Sequence, residues 1–281
     1  MGLRINTNVS SLNAQRNLRK SKLGLDKSLE RLSSGYRINR AGDDAAGLAI
    51  SENLKAQIRG LKQASRNAED GISLIQVAEG SLSEVSNILI RLRELGVQAA
   101  SDTIGPVERQ FLNVEYDQLV SEVDRIADGT EFNGTQLLSG TGSVLDFQVG
   151  TRNDPNIDRL SFDASKADST SAALGINLTS VADKASAQNS LSAIDAAITS
   201  VSAMRADFGA LQNRLQSTIN NLAVSVENMS AANSRIRDVD IASETADMTM
   251  NKVLLQAGTA VLAQANQTPE IALSLLNKSM S

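Results

Sequence analysis

The sequence predicts a mainly α protein: a long antiparallel helical bundle or coiled coil built from both chain ends, with a small β-hairpin and loop region in the middle. Three observations predict it. Apolar residues recur at steps of three and four over two stretches much longer than an ordinary globular helix. One central region breaks that period, where Gly134, Gly140, Gly142, Gly150 and Gly175 gather and apolar residues alternate strictly. The 281 residues are 41% hydrophobic but include only five Phe, two Tyr and no Trp. Leu, Ile, Val and Ala must therefore fill the core, and small aliphatics fill best between closely approaching helices.

The first element runs from about Ile5 to Tyr36. Its apolar positions are Ile5, Val9, Leu12, Leu18, Leu25, Leu29, Leu32 and Tyr36, a helical stripe interrupted by Gln15, Arg19 and Lys22. So narrow a stripe holds poorly in isolation. The second element is stronger. From Leu54, the positions Ile58, Leu61, Ala68, Ile72, Ile75, Leu82, Val85, Leu89, Leu92, Leu95 and Ala99 keep near-heptad spacing, broken only by Ser65 and Glu79. Asp43 or Asp44 is placed to cap its start, accepting orphan amide hydrogens at the positive end of the dipole. A helix from Asp44 to Ala100 would be roughly 85 Å long at 1.5 Å per residue.

Asp102-Thr103-Ile104-Gly105-Pro106 ends that helix, and Pro106 suits the first turn of a third, which carries Phe111, Leu112, Tyr116, Leu119, Val120, Val123 and Ile126 and stops at Gly129. Leu145, Phe147 and Val149 then alternate, as do Leu160 and Phe162, with turn chemistry at Arg152-Asn153-Asp154-Pro155-Asn156 between them. A β-hairpin follows, and after it an exposed Ser/Asp/Ala-rich loop. Gly140-Thr141-Gly142 reads as a loop, because no strand-to-helix frame or third glycine makes it a nucleotide fingerprint. Helical spacing returns at Leu191 and runs through Ile236, a helix of about 50 residues and roughly 75 Å. Beyond Arg237-Asp238-Val239-Asp240 a last helical stretch reaches Ser281. Gly258 and Thr268-Pro269 should divide it, with Thr268 as N-cap and Pro269 as first helical residue of a final segment.

Composition excludes several functions. There is no His and no Cys, so no imidazole- or thiol-based nucleophile system, no zinc site of the usual ligands and no disulfide. The net charge of −5, from 27 basic and 32 acidic residues, argues against nucleic acid as a partner. No stretch of about 18 apolar residues could span a bilayer, and the first residues lack the apolar core of a cleaved secretory signal. Asp43-Asp44 and Asp238-Asp240 are acidic pairs that helix capping explains better than metal binding or acid–base chemistry. No catalytic residue, metal or cofactor is expected.

Two very long amphipathic helices from opposite ends of the chain each need a partner, and short connections favour an antiparallel pairing. The chain ends then emerge at one pole with weak stripes. A two-helix pair buries little area, so neighbouring copies must supply the rest, and a heterologous contact that does not close gives a helical filament.

Four separated motifs carry a resemblance. Leu3-Arg4-Ile5-Asn6-Thr7-Asn8, then Leu32-Ser33-Ser34-Gly35-Tyr36-Arg37-Ile38-Asn39, then Ala41-Gly42-Asp43-Asp44-Ala45-Ala46-Gly47-Leu48-Ala49-Ile50 resemble the N-terminal signature of bacterial flagellins. Gln256-Ala257-Gly258-Thr259-Ala260-Val261-Leu262-Ala263-Gln264-Ala265-Asn266-Gln267 resembles the C-terminal one, followed by Leu273-Ser274-Leu275-Leu276. Glu131-Phe132-Asn133-Gly134 fits the family's turn after its second conserved helix.

The resemblance implies a secreted, extracellular structural subunit of the flagellar filament, and not an enzyme. Residues 1–40 and 241–281 would form the two halves of an inner coiled-coil domain. Residues 41–187, including the hairpin, and the long helix of 188–240 would form a helical outer wall. The roughly 55 residues of the central region leave no room for inserted surface domains, and the lack of His excludes the zinc protease some flagellins carry. Export through the flagellar type III apparatus is implied, with a chaperone on the C-terminal helix and a filament cap and hook–filament junction proteins as further partners. A Toll-like receptor 5 contact is implied on Leu89 to Gln98, with Arg91, Leu95 and Glu115 at the positions that matter most; Ile90 departs from the Gln common in recognised members. The rival readings are a hook–filament junction protein, which should depart from the C-terminal signature, and a general coiled-coil adaptor, which needs no motif at both ends.

Overall fold

The computed structural model describes residues 7–279, and the side chains of 7–267. Five α-helices and four short strands follow one another as α1 (Val9–Ser34), α2 (Ala45–Ala99), α3 (Pro106–Gly129), β1 (Glu131–Phe132), β2 (Thr135–Gln136), β3 (Val144–Gln148), β4 (Arg159–Asp163), α4 (Lys184–Arg237) and α5 (Ile241–Ser279). The described chain divides into two compact units, Met1–Ala56 with Met229–Ser281, and Gln57–Asn228. The Leu3 to Asn6 part of the N-terminal signature lies outside the described residues, as do the side chains of Leu273 to Leu276.

The unit of residues 57–228 holds the hydrophobic core. Along α2, Ala64, Ala68, Gly71, Ile75, Ala78, Leu82, Val85, Leu89, Leu92, Gly96 and Ala99 are buried. Their steps alternate between three and four, the seam of a coiled coil. Gly71 and Gly96 permit close approaches: a Cβ there would come within 3.1 Å of Phe147 and of Leu191 respectively. Ile194, Ala197, Val201, Phe208, Leu211 and Leu215 of α4 and Tyr116 and Val123 of α3 complete the core. Arg93 of α2 meets Asp195 of α4 at 2.7 Å while Gly96 faces Leu191, so the two helices run antiparallel here.

The hairpin pairs Leu145 with Phe162 and Phe147 with Leu160. Phe162 then meets Phe208 of α4 edge to face, with ring centres 5.4 Å apart. A second, two-residue hairpin, β1–β2, turns through Asn133 at φ 50° and Gly134 at φ 77°. Both values are left-handed, as the tight hairpin turn requires.

Two expectations are corrected. The Ser/Asp/Ala-rich segment after the hairpin is not an exposed loop: Ala164, Ala167, Ser169, Ser171, Leu174, Ile176 and Val181 are buried. Its polar groups find partners in α3, where Asp124 accepts from the Ser171 amide and hydroxyl at 2.7 and 2.8 Å and Asn113 accepts from the Val181 amide at 2.9 Å. Nor do Gly258 and Thr268-Pro269 divide the last helix, because α5 is assigned as one helix through all three. A single proline costs one backbone bond and some strain without necessarily ending a helix.

Candidate functional site

Two surfaces are candidates for contact with other molecules, one in each unit. The first is the antiparallel pair α1–α5 in the unit of the chain ends. Asn8 caps α1 by accepting from the Ser11 amide at 3.0 Å and donates to the Ala265 carbonyl of α5 at 2.7 Å. Ser11 donates to Asn266 at 2.8 Å. At the other end of the pair Arg31 meets Glu244 at 3.2 Å. Glu244 is only 7% exposed, and a nearly buried pair of this kind fixes register more than it stabilises.

Between these ties the seam mixes leucines with small and polar residues. On α1 the buried and half-buried positions include Ser11, Ala14, Leu18, Ser21, Leu25, Ser28 and Leu32, and on α5 they are Glu244, Met248, Asn251, Leu255, Gly258, Leu262 and Ala265. Both sets step by three and four. Glycine lets the helices come close: a Cβ on Gly258 would lie 2.9 Å from Leu18, and one on Gly24 2.9 Å from Asn251. A second set of large aliphatics points the other way. Val9, Leu12, Leu23 and Leu29 of α1, with Met250, Val253, Leu254 and Val261 of α5, are about half exposed or more. Of the α1 stripe read from sequence, Leu18, Leu25 and Leu32 lie in the seam, whereas Val9, Leu12 and Leu29 face outward. The serines of the seam carried no hydrophobic signal by which sequence could have found them.

The second surface lies on α2 and α3. The helices bring Arg91 and Glu115 together: the guanidinium donates to Glu115 Oε1 from Nε at 3.0 Å and Nη2 at 2.8 Å, and from Nη1 to Glu94 at 3.0 Å. Glu115, then Glu94, hold the arginine protonated above its ordinary range. The pair is open to water, where such bonds set geometry and add little stability. Leu95 does not join them, because it is fully buried in the core. Ile90 and Val97 of α2, and Val107, Phe111 and Val114 of α3, are exposed apolar residues, Phe111 by 71%. Phe111, one of the apolar residues the third helix carries, points to solvent.

Comparison with known proteins decides what these surfaces belong to. Residues 5–143 match the bacterial flagellin N-terminal helical region and residues 191–276 the bacterial flagellin C-terminal helical region. A flagellin of Halalkalibacterium halodurans is 48% identical over 97% of this chain and 99% of its own length. The chain belongs to the bacterial flagellin family. A flagellar filament 33 kDa core protein of Treponema phagedenis is 46% identical over 97% of this chain and 99% of its own. The crystal structure of Bacillus cereus flagellin matches with a TM-score of 0.50 at 34% identity, covering 60% of this chain and 94% of that one. This flagellin-family chain is of the short form, without inserted surface domains, and is a structural protein rather than an enzyme. Among the described residues no helix is long and apolar enough to cross a membrane.

Proposed function

We infer that the chain is the repeating structural subunit of a bacterial flagellar filament, the helical polymer that drives swimming. One observation carries the reading: in the α1–α5 pair one set of leucines shares the seam with serines and other small or polar residues, while a second set of large aliphatics faces outward along both helices. A pair that stood alone in water would keep its outer faces polar. Exposed aliphatic rows on this scale mark an interface, and in a family of filament proteins the partner is another copy. Both helices belong to the family-matched regions.

The subunit acts outside the cell, at the end of an export route that begins in the flagellar type III apparatus. Residues 1–40 and 241–281 line the inside of the filament, and 41–187 with 188–240 form its wall. Before assembly α5 is held by an export chaperone, since its exposed Met250, Val253, Leu254 and Val261 would otherwise associate prematurely. A cap at the filament tip and a junction protein at the hook receive the same aliphatic rows. Toll-like receptor 5 engages the second surface, with Arg91 and Glu115 making contact and Leu95 holding α2 in place beneath them. Receptor signalling that is unchanged on Arg91→Ala would remove that assignment.

Purified chain, seeded with sheared filaments of the same protein and viewed by negative-stain electron microscopy, should elongate into long helical filaments. Persistent monomers or small closed oligomers would contradict the reading.

A further inference from the structure

We propose that Arg237 is a positioning residue for assembly, which clasps the two connectors so that α1 and α5 leave the ends of α2 and α4 in one fixed orientation; the proposal rests on the filament-subunit reading. All the groups involved lie in the unit of the chain ends. Ten residues join α1 to α2 and three join α4 to α5. A short antiparallel bridge pairs Tyr36 with Asp238 across them. The Arg237 carbonyl accepts from the Arg37 amide at 2.7 Å, and the Val239 amide donates to the Gly35 carbonyl at 3.0 Å.

The side chain of Arg237 extends the same clasp. Its guanidinium carbon lies 4.6 Å from the centre of the Tyr36 ring. Nη1 donates to Glu52 and reaches Ser51, a fully buried residue, at 3.4 Å. Arg37 returns the link by donating from Nη2 to the Ile236 carbonyl at 2.6 Å. One residue therefore holds the end of α4, the start of α2 and the longer connector. Its Nε is buried without a hydrogen-bond partner. A guanidinium placed by hydrogen bonds alone would turn that donor to an acceptor; here contact with the ring face sets its plane. A lysine could keep the charge but not the stacked fork.

The reason to hold connectors so firmly is leverage. At 1.5 Å per residue α5 spans nearly 60 Å, so five degrees at its base displaces its far end by roughly 5 Å. A monomer tolerates that displacement. A polymer whose identical contacts repeat at every subunit does not.

The test uses full-length chain elongating on sheared wild-type filaments, with the monomer left at plateau measured after sedimentation. Tyr36→Phe, which keeps the ring, should stay within twofold of wild type. Tyr36→Ala and Arg237→Ala should raise the plateau monomer at least tenfold, with Arg237→Lys between. The monomer melting temperature, governed by the core of residues 57–228, should be the same for all four. Alanine variants within twofold of wild type, or losses that track a fall in melting temperature, overturn the proposal. If Arg237→Ala does not fold, the Tyr36→Ala and Tyr36→Phe comparison decides. A wild-type chain that never elongates overturns the filament reading itself.

Discussion

Asp43 and Asp44 are adjacent and answer to different partners. Asp44 accepts from the Gly47 amide at 2.8 Å, which makes it the cap of α2. Asp43 turns back to gather the Asn39 and Arg40 amides at 3.3 and 3.2 Å and the Lys27 ammonium at 2.7 Å. Lys27 first, then the Arg40 amide, lower its pKa from 3.8 to about 2. A carboxyl whose folded pKa is depressed stabilises the fold above its unfolded pKa and loses that contribution as pH falls through the folded one. Asp43→Asn should therefore cost no more than about 1 kcal/mol at pH 7, because Lys27 is half exposed and water screens the pair. Its deficit against wild type should shrink between about pH 4 and pH 2, as read by the acid transition of helical circular dichroism. The aspartate cap was legible in the sequence because capping is local. The Lys27 tether was not, because it depends on how the chain folds back between α1 and α2. Leu95 and Arg91 separate in the same way. Both lie in one recognisable segment, yet Leu95→Ala should cost about 2–5 kcal/mol of monomer stability, whereas Arg91→Ala, at an exposed pair, should leave it unchanged within error. Thermal or urea unfolding of the two variants checks both outcomes.

At the scale of elements, hydrophobic period alone located α2, α3 and α4, because their stripes face a core within the same chain. It misjudged α1 for a physical reason. A seam of Ser11, Ser21 and Ser28 alternating with Ala14, Leu18, Leu25 and Leu32 has little apolar signal, so the visible stripe mixed seam residues with outward ones. The segment after β4 was misread because Ser169 and Ser171 look like loop residues until their bonds to Leu138 and Asp124 are seen. A two-helix pair whose leucines are only half-buried and alternate with serines has little to hold it together in a monomer. In monomers, amides of α1 and α5 should exchange with deuterium at least 100-fold faster than those of Leu82 to Leu95. In filaments the difference should largely disappear. Equal protection of the terminal segments in both states would mean that the α1–α5 pair is stable without neighbours.

Over the whole molecule, the scarcity of aromatics and the absence of His and Cys take on a positive sense. The core of residues 57–228 is filled mainly by Leu, Ile, Val and Ala of long helices. The terminal helices carry aliphatic rows in place of bulky rings, and Tyr36 sits at their edge. That surface suits packing against identical copies, with close helix approach instead of ring stacking as the source of fit. Filament function was legible at the two chain ends through motif residues, while the geometry that makes those ends adhesive needed coordinates. The most direct measurement is a helical reconstruction, by electron cryomicroscopy, of filaments grown from this chain. It should show Val9, Leu12, Leu23, Leu29, Val253, Leu254 and Val261 buried against α1 and α5 of neighbouring subunits, with the Ser11 to Leu32 seam still internal to each pair. A filament in which those aliphatics face water, or in which the serine seam opens to face a neighbour, would contradict the account.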